Sequence, residues 1–373
     1  MSKLLSWGLI IATYEREKIL PLCLELAIAQ TRKPSEIIII DASRSWETNR
    51  DLIMTEIAPK CPGIRWLYTF ADVPSLTMQR NQGLCLATTD VVFLLDDDSL
   101  MYPTCAEEIM KVYEADVEGV VKAVATDDAD APPSGMVIPV AKRQTGYSDR
   151  WLPILNSSLK FLWKHVLMMH IEVLWIPYDG SFPKHSLPSS LKELNVVSMP
   201  ICKGYQMTFR RDVFTEEMFE PLLRYYCAGE DLDACNRITR HGPLVLAQDA
   251  KLHHFNSAGG RLPRFRGTVL GALNQVLFLK KHSSDLRRDR ARYYHLILRR
   301  IFAELIKDTL SRRWSMPQVR GLIVALWYSR KLFSMSKMEL AEWYPRFQQE
   351  LVESGHLIST ENHHINGTGM ERA

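Results

Sequence analysis

Glycine is missing where the commonest phosphate-binding loops require it. No GxGxxG follows a strand-like run and no GxxxxGK[ST] occurs in the 373 residues, which excludes the usual dehydrogenase and P-loop designs. The seven cysteines are odd in number, scattered and never spaced CxxC. That argues against a zinc knuckle or a disulfide scaffold and suits a reducing cytosol. No charge-free apolar stretch reaches 18 residues, so no spanning helix is expected. The short run Leu9–Ala12 is followed by no small-residue cleavage site, so it does not read as a signal peptide. No repeat of fixed period occurs. These absences lead us to expect a cytoplasmic protein.

What is present is acid at the end of an apolar strand. Val91-Val92-Phe93-Leu94-Leu95 runs straight into Asp96-Asp97-Asp98. The run shows no alternation and so reads as a buried parallel strand. Three adjacent carboxylates repel one another and resist desolvation, so a cation belongs there. A hard divalent ion with oxygen ligands, Mg²⁺ or Mn²⁺, fits best, set against a plain solvated acidic turn.

Strand-like and helix-like runs alternate over residues 1–126. Strands are expected at Trp7–Thr13, Glu36–Asp41, Ile64–Phe70, Val91–Asp96 and Gly119–Thr126. Helices are expected after Arg16, with Ile19, Leu22, Cys23 and Leu26 as the buried stripe, and at 46–58, 75–87 and 102–115. Short connections make this a doubly wound sheet, which binds ligands at the carboxyl ends of its strands. Asp41 and the aspartate triplet both lie at such ends, and two local signals become one site.

Residues 127–200 break the alternation. Within them, 159–176 holds 13 apolar residues of 18, readable as a core helix or as an interfacial helix at lipid headgroups. A strand at Ile201–Phe209 follows. Gly229 opens a helix that carries Glu230 and Asp231 in its first turn, where backbone amides favour ionised acids. The strand Leu244–Ala247 leads to His253 and His254 on a loop, where they serve as metal ligands, phosphate contacts or polar filling.

From Leu262 the pattern is helical. Segment 261–300 carries a net charge of +9. Tyr294, Ile297, Leu298, Ile301, Phe302, Leu305 and Ile306 form an apolar stripe beside Arg292, Arg299, Arg300 and Lys307. Such a helix either rests on a membrane or partner surface or docks internally with a solvated basic face. The tail from Gly355 is expected to be disordered.

Taken in order, Ala12-Thr13-Tyr14-Glu15-Arg16, Ile40-Asp41-Ala42-Ser43, Arg80-Asn81-Gln82-Gly83, Leu95-Asp96-Asp97-Asp98 and Gly229-Glu230-Asp231 resemble family 2 glycosyltransferases of the GT-A fold, over roughly residues 6–260. The resemblance implies an α/β fold of GT-A type, a doubly wound mixed sheet. The transferase domain would span 1–260 with an acceptor-side insertion at 127–200, followed by a basic helical extension at 261–354 and the tail. It implies that Asp41, Thr13 and Tyr14 lie at the nucleotide base, with Arg80, Asp96 and Asp97 on the donor. The Asp-x-Asp pair would contact the ribose and hold the divalent ion, the metal ligands being Asp98 and His254. The general base would be Asp231, with Glu230 beside it. Glu15 stands where many relatives have Asn, and Ala42-Ser43-Arg44 replaces an Asp/Asn-Gly-Ser turn, which bears on donor identity.

The expected activity is metal-dependent, inverting transfer from a nucleotide-sugar to a hydroxyl of a glycan or lipid-linked acceptor, in cell-surface polysaccharide or glycoconjugate synthesis. The expected place is the inner face of the cell membrane, on an anionic surface, without nucleic acid. Two rivals are a degenerate, non-catalytic membrane-associated binding protein and a nucleotidyltransferase. The second would need a Gly-rich basic loop after the first strand, and Ile10–Arg16 contains no glycine.

Overall fold

The computed structural model describes residues 4–353 apart from 135, 137, 140–160, 163–165, 167–183, 216–217, 226 and 258–261. Four parallel strands make one half of the sheet: β1 (Trp7–Thr13), β2 (Glu36–Asp41), β3 (Arg65–Phe70) and β4 (Val91–Asp96). Helices α1 (Leu20–Ile28), α2 (Trp46–Leu52) and α3 (Leu76–Leu86) connect them. The helix expected at 46–58 loosens after Leu52 into a π-helical turn, Ile53–Ile57, and a 3-10 turn, Ala58–Lys60. Pro59 lacks the N–H that a continuing α-helix needs.

The other half is mixed. It contains β5 (Ser99–Met101), β6 (Ala123–Asp128), β7 (Val196–Met199), β8 (Gln206–Arg210) and β9 (Leu244–His254), with α4 (Cys105–Ala115) and α5 (Glu230–Ile238) against it. The order is β3-β2-β1-β4-β8-β6-β9-β5, and β7 also pairs with β9. β8 enters antiparallel between β4 and β6.

Both faces of the parallel half are covered, which explains the absence of alternation in its sequence. Leu9, Ile11, Ile37, Ile39, Phe93 and Leu95 pack with Cys23 and Leu24 of α1 and Ile109 and Met110 of α4. Ile10, Ile38, Ile40, Val92 and Leu94 pack on the opposite face with Leu84 of α3 and Ala234, Cys235 and Ile238 of α5. The stripe expected on α1 is rotated. Leu20, Cys23, Leu24 and Ala27 are buried, while Leu22 and Leu26 are half-buried around Ile19, Leu100 and Phe255.

Four helices follow, α6 (Arg264–His282), α7 (Leu286–Leu310), α8 (Pro317–Ser334) and α9 (Lys337–Glu353). They share an apolar core that includes Leu273, Leu277, Tyr293, Ile297, Leu322, Phe333, Tyr344 and Phe347. Most of the apolar stripe on α7 does not dock. The helix buries Tyr293, Leu296 and Ile297 together with the acids Asp289, Glu304 and Asp308. Leu298, Phe302, Leu305 and Ile306 are exposed. Two of the inward acids are hydrogen-bonded: Asp289 accepts from Ser283 Oγ and Arg288 Nε, and Asp308 accepts from the Gln318 amide. Glu304 has Lys307, 3.9 Å from its Oε2. Among the described residues, no helix is long and apolar enough to cross a membrane. Nearly all of the 159–176 run, and the tail from 354, lie outside the described residues.

Candidate active site

Register across the sheet brings the acids together. Ala12 pairs with both Ile40 and Asp96, and Thr13 pairs with Asp41, so β1, β2 and β4 end level. After β4 the chain turns at once into β5, whose Ser99 pairs with His254. The two histidines are therefore not on a loop. β9 runs on past Ala247 to His254, and antiparallel pairing with the very short β5 delivers them to the aspartates. Alternation along the strand then separates their roles. His253 turns to the Ala129 carbonyl, 2.7 Å away. His254 Nε2 lies 3.2 Å from Asp98 Oδ1, buried and without a hydrogen-bond partner, and its ring stacks on Tyr205 at 4.0 Å.

Ligand atoms of Asp96, Asp98 and His254 all fall within 4.8 Å of one another. Two carboxylates and an imidazole with a buried, unsatisfied nitrogen fit a hard divalent ion such as Mg²⁺ or Mn²⁺. Burial works to raise the Asp98 pKa, but His254, the Ser257 amide at 2.7 Å and Arg16 together hold it below the usual carboxylate value. Asp97 behaves in the opposite way. Burial and the Asp98 charge outweigh Arg16 and push it up to about 8, while its Oδ2 accepts from Thr13 Oγ1 at 2.7 Å. Asp97 and Thr13 therefore brace each other inside the fold.

Asp41 is fully buried. Its Oδ1 accepts from the Ser43 amide, and its Oδ2 accepts from Asn49 Nδ2 and the Tyr68 hydroxyl. Protein donors thus occupy both of its oxygens, whereas Tyr14 is exposed at the mouth of β1. The two departures from the family pattern turn out to be partners. The Glu15 amide donates to Ser43 Oγ at 2.7 Å, and the Arg44 amide donates to Glu15 Oε1 at 3.1 Å. Glu15 has φ 52°, a left-handed turn more usual for Asn or Gly. Changing both residues together preserves a clip between the two strand ends.

Across the sheet end, Gly229 at φ 95° turns the chain into α5 and presents Glu230 and Asp231. Arg80, 2 % exposed, ties the halves together. Its Nη1 donates to Glu230 Oε1 at 3.1 Å, and its Nη2 donates to Asp96 Oδ1 at 3.1 Å and to the Gly204 carbonyl at 2.8 Å. The Gly204 amide donates to Asp231 Oδ2 at 3.2 Å. A Cβ at 204 would stand 2.9 Å from Glu230 Oε1, so any larger residue there would displace the Glu230 carboxyl. Burial, and then the Asp231 charge, push Glu230 up to about 8. Burial also raises Asp231 above its ordinary value. Both carboxyls therefore hold a proton more firmly than free acids do, and Glu230 has the pKa of about 8.

The C-terminal helices hold this corner from behind. Tyr344 OH donates to Asn274 Oδ1 at 2.5 Å, and Asn274 Nδ2 donates to the carbonyl of Ala228, one residue before Gly229. Asp233, one turn into α5, pairs with His282 at 2.6 Å and with Arg237 at 3.0 Å.

The structure thus gathers Thr13, Asp96, Asp97, Asp98 and His254 into one cluster and Glu230 and Asp231 into a second, with Arg80 between them. Asp41 and Tyr14 lie one strand to the side. Sequence reasoning assigned no role to Arg16 or Gly204. Arg16 stood inside a quoted motif, and a glycine inside a strand-like run is itself a sign of close approach.

A parallel core with an inserted antiparallel strand, and acids at its carboxyl end, defines a GT-A fold. Residues 9–175 match the model described as glycosyl transferase family 2. The match covers Asp41 and the Asp96–Asp98 triplet and stops short of Glu230 and Asp231. GalNAc-T7, solved with UDP, GalNAc and Mn²⁺, is 15% identical with a TM-score of 0.50, covering 75% of this chain. The chain spans 48% of that protein's length. The mannosyltransferase PcManGT from Pyrobaculum calidifontis, solved with GDP-Man and Mn²⁺, is 13% identical, covering 95% of this chain and 82% of its own, with a TM-score of 0.43. TarS of S. aureus is 10% identical over 92% of this chain and 55% of its own, with a TM-score of 0.45. No curated protein matches the sequence closely.

Proposed function

We propose that the protein transfers a sugar from a nucleotide-sugar to a hydroxyl of a glycan or lipid-linked acceptor, with inversion at the anomeric carbon. One observation carries this reading: a cation-binding cluster and a separate, more basic carboxylate sit at one sheet end, coupled by Arg80. A divalent ion held by Asp96, Asp98 and His254 would supply charge stabilisation for a leaving diphosphate. Asp231 takes the proton of the acceptor hydroxyl as the new bond forms on the opposite face. Its raised proton affinity suits that task, and the neutral Glu230 keeps a second negative charge away from the incoming oxygen.

The test is a panel of nucleotide-sugars offered with Mn²⁺ or Mg²⁺. Nucleoside diphosphate release is expected with one donor class and is expected to stop when the metal is chelated. Asp98→Ala should abolish cation-dependent nucleotide binding, as read by calorimetry. Release that survives chelation, or an Asp98→Ala variant that binds like wild type, refutes the proposed site.

The acceptor side belongs to the same proposal. Leu298, Phe302, Leu305 and Ile306 face outward on α7, and Trp314 in the turn that follows is 71% exposed. Arg287, Arg288 and Arg292 are exposed near the start of the helix. Apolar residues flanked by arginines match an anionic membrane surface, the inner leaflet being the expected one for polysaccharide or glycoconjugate synthesis. Flotation with vesicles containing an anionic lipid should show binding at low salt. Reversing all three arginine charges is expected to weaken it by about a hundredfold or more, since losing each arginine alone costs about 1 kcal/mol. Equal binding by the reversed variant removes the membrane from the proposal.

A further inference from the structure

The metal cluster has a cation of its own. Arg16 follows the left-handed Glu15 in the turn between β1 and α1. Its carbonyl accepts from the amides of Ile19 and Leu20, so the first turn of backbone fixes its base. Its Nη1 lies 3.2 Å from Asp98 Oδ2 and 3.9 Å from Asp97 Oδ1, and its side chain is 12% exposed. Asp98 itself is nearly sealed, with the Ser257 amide on the same oxygen as Arg16 and His254 on the other. A divalent ion on Asp96, Asp98 and His254 would meet a fixed positive charge already drawn up to one of its ligands.

We propose that Arg16 is a built-in counter-cation that makes metal binding depend on the diphosphate. Without nucleotide, the guanidinium neutralises Asp98 and weakens its hold on a metal ion. A diphosphate arriving with the ion brings negative oxygens on the metal's open side. The guanidinium, whose planar fork suits phosphate geometry, turns from the carboxylate to them. Metal and diphosphate then each strengthen the other's binding, and such coupling is reciprocal. A lysine could neutralise Asp98 equally well but would grip phosphate only as a point charge. A merely structural Arg16 would make a different prediction: its loss would lower the melting temperature and leave metal affinity unchanged or weaker.

The diphosphate half of this inference rests on the glycosyltransferase reading, but the metal half does not. The experiment therefore measures Mn²⁺ alone first, by the electron paramagnetic resonance signal of free Mn²⁺, on wild type and on Arg16→Met. The variant should bind Mn²⁺ at least tenfold more tightly than wild type. Adding UDP or GDP should tighten Mn²⁺ binding to wild type at least tenfold with one of the two, and this gain should shrink in Arg16→Met by the factor gained without nucleotide. Arg16→Gln, which keeps a donor to Asp98 without the charge, gives the same comparison if the methionine variant does not fold. Arg16→Lys should retain weak binding of metal alone and lose part of the gain from nucleotide. Mn²⁺ affinity of both neutral variants within twofold of wild type, or below it, overturns the proposal. Failure of the glycosyltransferase reading would show separately, as no release from any donor in the panel while the measurement with Mn²⁺ alone keeps its outcome.

Discussion

Asp231→Asn is expected to lower turnover by roughly a hundredfold to ten-thousandfold while leaving nucleotide binding within about threefold of wild type, the range that positioned general bases contribute. Asp231 accepts from the Gly204 and Leu232 amides, and the asparagine oxygen can keep one of these contacts, so the first turn of α5 stays in place. What the amide cannot do is take a proton. The neighbouring Glu230 does not substitute, because its carboxyl is buried against Arg80 with its pKa pushed up to about 8. Single-turnover rates beside calorimetric nucleotide affinity separate the two effects. Normal turnover in Asp231→Asn would remove the residue from the role of base.

Arg80→Met is expected to be a strongly destabilising change within the site, at about 1–3 kcal/mol for each buried acceptor left without its donor. The methionine fills much of the volume, but Asp96, Glu230 and the Gly204 carbonyl all lose their donor. The loss should depend on pH in a defined direction. Glu230 has its folded pKa raised above the unfolded value, so the folded state holds the proton more firmly, and stability falls as pH rises from the ordinary carboxylate range towards about 8. Arg80 lowers the Glu230 pKa, so without it the folded pKa rises further and the gap between wild type and variant should widen only above about 8, where wild type ionises and the variant still holds its proton. Melting temperatures at pH 6, pH 8 and pH 9.5 test this. A gap that is constant or narrows with pH would show that Arg80 acts through packing alone.

Much of the parallel half could be read in advance because its signals are local. A strand buried on both faces announces itself as an unbroken apolar run, which marks β1, β2 and β4, whereas β3 is a half-exposed edge strand. The acids followed because strand ends in such sheets are binding ends. The acceptor half depends on pairings that periodicity does not carry. β5 is only three residues long, so nothing in Ser99-Leu100-Met101 marks a strand. Without β5, β9 seemed to stop early and His254 seemed to hang on a loop. Arg80 and Glu230 stand 150 residues apart, and no local pattern joins them. The stripe on α7 was legible as a stripe, but not which side of it would dock, because the helix buries three acids, Asp289, Glu304 and Asp308, on its inner side.

The buried chain of Tyr344, Asn274 and Ala228 also sets the order in which the site can come into being. Synthesis completes the donor strands early, yet β4 gains its outer neighbour only from residues 206–210. The peptide before Gly229 is then pinned through contacts 46 and 70 residues long. Such non-local closures are entropically late. Asp231 is therefore set in position only as α9 docks, and on the proposed reading turnover becomes a sign that the described chain has finished folding.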